Sequence, residues 1–142
     1  MSTEITKVTL DWEKTCLSKL HLHNEAYFYA FSRANKVLYI GKSEWTTLVA
    51  EIKQNLKRLA ISNTGLSLWI GHVNKSKTTI KRITTEIIDD VESLLIFKVQ
   101  SKHNIQKTKT YRGRVNLRVV NENNNLFPGQ ITITPKSKLV ND

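Results

Sequence analysis

The 142-residue chain has little of what staples or interrupts a fold: one cysteine, two prolines and five glycines. A single cysteine, Cys16, excludes an internal disulfide and any site built from several thiolates, and a buried apolar position is the expectation for it. With so few prolines and glycines, and many Ile, Leu and Val residues in short clusters, the chain is expected to fold rather than stay disordered. No apolar run approaches the ~18–20 residues of a bilayer span, and the opening MSTEITKVTLDWEK lacks the apolar stretch of a secretion signal. A cytoplasmic protein without a membrane segment is therefore expected. Acidic residues are also scarce, 12 against 22 lysines and arginines, for a formal charge of +10.

That charge is unevenly spread. Residues 1–25 hold Glu4, Asp11, Glu13 and Glu25 against Lys7, Lys14 and Lys19, so the excess belongs to the rest of the chain. Between Lys102 and Arg118 lie Lys107, Lys109, Arg112 and Arg114, with Tyr111 among them and no acid. A polyanion is the expected partner. No basic amphipathic helix with an aromatic apolar face is present, which favours nucleic acid over a membrane surface.

The patterning is that of one α+β domain. Val8, Trp12, Cys16 and Leu20 stand four apart, which reads as a short helix, so residues 1–25 are taken as an N-terminal extension packed on the domain. The run AYFYAF, a turn at Ser32–Lys36, and VLYIG from Val37 predict a β-hairpin. Trp45, Leu48, Val49, Ile52, Leu56 and Leu59 form a helical stripe ending near Ala60, with Ser43 as N-cap. LSLWIGHV and TTIKRIT read as two strands around NKSK. Ile87, Ile88, Val91, Leu94 and Leu95 share one face of a second helix, with Asp89, Asp90 and Glu92 towards the others. RGRVNLRVV and ITIT then form terminal strands around an Asn-rich turn ending in Pro128 and Gly129. The expected architecture is a small, mainly antiparallel sheet flanked by helices.

The hairpin YFYAFSRANKVLYIGKS, with Tyr29 followed by Tyr39-Ile40-Gly41 and then Lys42, resembles the motif of the GIY-YIG endonuclease superfamily. Further along, Glu92-Ser93-Leu94-Leu95-Ile96 and, twelve residues after Glu92, Asn104 are similar to the metal-binding Glu, the following Leu-Ile and the later Asn in the nuclease domain of the bacterial nucleotide-excision-repair endonuclease. The resemblance covers residues 26–105 as a nuclease core and leaves 106–142 as a basic C-terminal β extension. It implies a metal-dependent DNA endonuclease in which Glu92 ligates Mg²⁺ or Mn²⁺, a tyrosine activates water, Lys42 steadies the phosphate and Asn104 fixes local geometry or touches substrate. Tyr29 is the first choice of base and Tyr39 the second. Cutting both strands calls for two active sites, so a homodimer is compatible with this activity.

Two positions depart from the motif. Tyr27 stands where the first half has Gly, and Val49 stands where the helix usually places a catalytic Arg. Arg58 lies nine residues beyond Val49, about 13 Å of helical rise, and Lys53 one turn beyond it; either is a substitute cation. Lys107, Lys109, Arg112 and Arg114 are expected to contact phosphates and Tyr111 to stack on a base, the alternative being a basic edge strand kept soluble by its charges. His21, His23, His72 and His103 show no metal-ligand spacing and are read as structural or DNA-contacting. Two further readings stand beside the nuclease: a nucleic-acid-binding module on the same scaffold with an impaired site, and a protein that meets an acidic protein surface.

Overall fold

A continuous apolar run, buried on both of its faces, makes the first strand of the hairpin. Strand β2 (Phe28–Arg33) and strand β3 (Lys36–Lys42) pair antiparallel, joined by Ala34 and Asn35, both at positive φ. The computed structural model describes residues 4–44, 47–137 and 139–140, so Trp45 of the helical stripe lies outside the described residues. Strand β1 spans Thr6–Thr15, helix α1 Leu48–Arg58, strand β4 Ser67–Val73, helix α2 Thr85–Val99, strand β5 Leu117–Glu122 and strand β6 Gln130–Ile133. The six strands form one sheet in the order β3-β2-β4-β1-β5-β6, with every neighbouring pair antiparallel except β1 and β5.

Each sheet face has its own cover. Val8, Leu10 and Trp12 of β1, Phe28 and Ala30 of β2, and Leu117 and Val119 of β5 point to the face occupied by α2. Tyr29 and Phe31 of β2 and Leu68 and Ile70 of β4 point the other way, against Leu48, Ile52 and Leu56 of α1 and Leu20 of a 3-10 helix at Leu17–His23. The period of two sorts these side chains between the two cores.

Several expectations are corrected. The expected helix over 8–20 is strand β1 followed by the 3-10 helix; β1 lies inside the sheet between β4 and β5, so it is not a peripheral addition. TTIKRIT forms no strand: Thr78 and Thr79 use their side chains and backbone on Thr9 and Lys7 of β1, which turns the segment across the sheet end. The N-cap of α1 is Thr47, whose hydroxyl accepts from the Ala50 N–H at 3.2 Å, not Ser43. Strand β5 begins only at Leu117, after the left-handed Asn116. Cys16 is exposed, because it falls just past the end of β1.

Leu10 is fully buried and Leu22 is 68% exposed. Leu10→Ala is expected to cost about 2–5 kcal/mol in urea unfolding, and Leu22→Ala to stay within about 0.5 kcal/mol; near-equal midpoints would place β1 outside the folded core.

Candidate functional site

The cleft sits along β3, the edge strand on which the two sheet faces meet. Its free edge is closed by one side chain: Asn104 accepts the Ile40 N–H on Oδ1 at 2.9 Å and donates Nδ2 to the Ile40 carbonyl at 2.9 Å. The His103 N–H donates to the Leu38 carbonyl at 2.8 Å, and Ser101 Oγ meets Asn104 Oδ1. Residues 101–107 are thereby laid against β3. They enclose, with α1 and α2, a cleft of about 720 Å³ whose walls include Tyr39, Lys42, Arg58, Glu92, Asn104 and Lys107. Glu44, Glu51 and His103 reach it as well.

Tyr29 is the one residue of the expected catalytic set that does not line the cleft. It is fully buried behind Tyr39, with ring centroids 6.1 Å apart. Gly41 faces it directly across the hairpin, and a methyl group there would overlap the phenol carbon and hydroxyl of Tyr29. The glycine of the YIG triplet is thus needed because the Tyr29 ring lies over it. Tyr27, in the position of the motif's first glycine, accepts the Ser43 N–H on its carbonyl at 2.7 Å.

Both phenols are held protonated. Burial, with Tyr39 and Glu51 adding to it, raises Tyr29 far above the ordinary tyrosine value. Burial also raises Tyr39, followed by the Glu92 charge, while Arg58 pulls it down. Arg58 is the cation that pulls the cleft phenol down. Asn55, 6% exposed, links Arg58 to the buried phenol of Tyr29: Nδ2 donates to the Tyr29 hydroxyl at 2.5 Å and to Glu51 Oε1 at 3.0 Å, and its Oδ1 accepts from Arg58 Nε at 3.0 Å. Val49 packs on the α1 core instead.

Charges of opposite sign alternate along the other wall. Lys42 Nζ bonds Glu44 and lies 3.3 Å from Asp89 Oδ1; Lys107 Nζ lies 2.7 Å from Asp89 Oδ1 and 2.9 Å from Glu92 Oε1. Burial opposes the Lys107 charge, but its hydrogen bonds to Asp89 and Glu92 win and hold it above the ordinary lysine value. Burial likewise opposes the Asp89 charge, and Lys107 and Lys42 outweigh that too, so Asp89 is held low. For Glu92, only 8% exposed, burial dominates and raises the carboxyl despite Lys107. Glu92 is thus not a solvated helix face: the 101–107 segment covers it.

A divalent ion fits here by the chemistry of the donors. Asp89 and Glu92 already share one cation, and hard carboxylate oxygens beside open solvent are what Mg²⁺ and Mn²⁺ take, most of their shell remaining water. Among the described residues no group of three or more His, Cys, Asp or Glu is arranged as a metal cage.

The basic C-terminal cluster separates into two kinds. Lys53, Lys109 and Arg112 are exposed. Lys107 is tied to the acids of α2, and Arg114 Nε donates to Asp90 Oδ2 at 3.1 Å. Tyr111 is 2% exposed, packs on Phe97 and donates its hydroxyl to the Arg114 carbonyl at 2.6 Å, so its ring has no face to offer a base. Glu44, Glu51, Asn55 and Asp89 were not singled out from the sequence as site residues. Asp89 was legible only as an acid one turn before Glu92, and Asn55 as a polar residue three before Arg58.

Comparison of the chain with protein-family models, curated proteins and solved structures finds no match.

Two outcomes follow from the electrostatics. Tyr29→Phe should leave the phenolate absorbance gained between about pH 9 and about pH 11 equal to wild type; loss of one phenol's share would contradict the burial. Lys107→Met should leave stability near wild type at about pH 3 and fall behind by about 1–3 kcal/mol at neutral pH. Raised Glu92 loses stability as pH rises through its folded value, and lowered Asp89 gives up stability it otherwise holds above its unfolded value. A gap independent of pH, measured by urea unfolding, would contradict the ion pairs.

Proposed function

We propose that the chain is a metal-dependent DNA endonuclease of the GIY-YIG type, hydrolysing phosphodiester bonds. The observation that carries this reading is the convergence in one cleft of Tyr39, Lys42, Arg58, Glu92 and Asn104, drawn from a hairpin, two helices and a loop. Of the residues that carry the resemblance, Tyr39, Lys42, Glu92 and Asn104 line this cleft, and Tyr29 lies buried behind Tyr39.

In this reading Glu92, with Asp89 beside it, would hold a divalent ion in place of the Lys107 ammonium, and that ion would supply Lewis-acid polarisation of the scissile phosphate. Lys42 and Arg58 supply positive charge where the transition state gathers negative charge. Tyr39, rather than the enclosed Tyr29, is the phenol a cleft water reaches; its hydroxyl orients that water, and Arg58 favours release of the hydroxyl proton to solvent, which leaves the phenolate oxygen to take a proton from the attacking water. Tyr29, Asn55 and Glu51 form the hydrogen-bonded backing that fixes the Arg58 guanidinium. Asn104 acts through the β3 edge and positions the wall. Exposed Lys53, Lys109 and Arg112 contact phosphates farther along the strand.

Two observations favour a second reading, a DNA-binding module without cleavage: the Lys107 ammonium occupies Glu92, and Val49 stands where the motif has its helix Arg. Incubation with supercoiled plasmid separates the two. The nuclease nicks it in Mg²⁺ or Mn²⁺ and not in chelator, Glu92→Gln abolishes nicking with DNA binding largely kept, and Arg58→Ala lowers the rate roughly 10²–10³-fold. Retention of DNA with no nicking under any of these conditions would establish the binding module.

A further inference from the structure

Away from the cleft, on the sheet face that carries α1, two histidines separated by 49 residues in sequence meet. His72 stands on β4 directly opposite Asp11 of β1, two residues along from Glu13, and the 3-10 helix ends against them at His23. His23 Nδ1 lies 3.0 Å from His72 Nε2, with the rings tilted 49° and their centroids 5.2 Å apart. The other nitrogen of His23, Nε2, lies 3.1 Å from Glu13 Oε2. His23 is 7% exposed, and His72 is half-buried.

The Glu13 contact places a hydrogen on His23 Nε2, because a carboxylate oxygen only accepts. In the neutral ring the lone pair of Nδ1 then faces His72, which donates from Nε2. Moving that hydrogen to its own Nδ1 changes no charge and leaves two imidazole lone pairs aimed into one gap. A carboxylate on the far nitrogen of a histidine is the arrangement that fixes ring orientation and raises basicity in metal-binding histidines.

We infer that His23 Nδ1 and His72 Nε2 form a two-imidazole site for a divalent transition-metal ion, with Glu13 as the outer carboxylate that orients His23. In a tetrahedral site with metal–nitrogen bonds of ~2.0–2.1 Å the two nitrogens stand roughly 3.3 Å apart; here 3.0 Å separates them, so the spacing opens by a few tenths of an ångström while the rings turn until both lone pairs converge on one point beside the line between them. Imidazole ligands select Zn²⁺, Cu²⁺ or Ni²⁺ rather than Mg²⁺. Water completes the shell, and Asp11, whose Oδ1 accepts from Asn123 Nδ2 at 2.6 Å, adds negative charge beside His72. The site shares no residue with the β3 cleft and stands or falls independently of the nuclease reading.

Zinc chloride titrated into the full chain at neutral pH tests this by calorimetry and by the ¹⁵N resonances of the histidine rings. The expected result is one ion bound, with His23 Nδ1 and His72 Nε2 shifting and His21 and His103 unmoved. His23→Gln and His72→Gln each reduce binding to background, Glu13→Gln weakens it roughly 10-fold or more, and Cys16→Ser leaves it unchanged. No binding, binding that survives both histidine variants, binding lost with Cys16→Ser, or ring nitrogens of the wild-type chain that do not respond would each overturn the assignment. The ring resonances decide the matter even if a variant fails to fold.

Discussion

The cleft depends on the two hydrogen bonds that Asn104 makes to Ile40. An edge strand exposes backbone donors and acceptors that must be paired or covered, and on β3 the amide of one side chain takes both groups of one residue. With the adjoining bond from His103 to Leu38, this lays the 101–107 segment along β3 as a cover. That cover carries Lys107 to Asp89 and Glu92, pairing both acids where only Glu92 is sheltered from solvent. The Asn104 fork thus ties to the β3 edge the segment whose Lys107 bonds Glu92.

The site's electrostatics follow from that enclosure. Glu44, Lys42, Asp89, Lys107 and Glu92 form an alternating chain in which neighbours compensate one another, while Arg58, on the opposite wall, is bonded to the Asn55 amide and acts on the phenol of Tyr39. The acids of α2 are thus largely neutralised within the fold. The chain's surplus of +10 is left to exposed residues such as Lys53, Lys109 and Arg112, whose field reaches about a Debye length into solvent. Local pairing and long-range attraction are carried by different side chains.

The hairpin and both helices were legible in the sequence because an aromatic, β-prone run and a 3-to-4-residue stripe are unambiguous over those lengths. Strand β1 was not. Val8, Trp12, Cys16 and Leu20 stand four apart, and four is a multiple of the strand period as well as close to a helical turn; Leu10, between Val8 and Trp12, is the residue that distinguishes them. TTIKRIT alternates like a strand, but both neighbours of β4 are already β2 and β1, which no local pattern reveals. In the site, Tyr39, Lys42, Glu92 and Asn104 were legible through their motif. Arg58 and Lys53 were both legible as substitute cations on α1, and only the fold separates them, since Arg58 lines the cleft and Lys53 does not. The burial of Tyr111 was not legible, since its basic neighbours suggest exposure while its ring packs on Phe97. His23 and His72 meet only because the 3-10 helix ends beside β4, a contact invisible to spacing.

The most direct measurement of the central claim, that the β3 edge is where a phosphodiester strand is held, is a backbone-amide NMR titration of the chain with a short DNA duplex at moderate salt. The account predicts shift changes concentrated on residues 39–42, on Arg58, on Glu92 and on 103–107, weakening as salt is raised. Changes centred on β5 and β6, or spread evenly over every exposed lysine and arginine with the β3 edge silent, would contradict it.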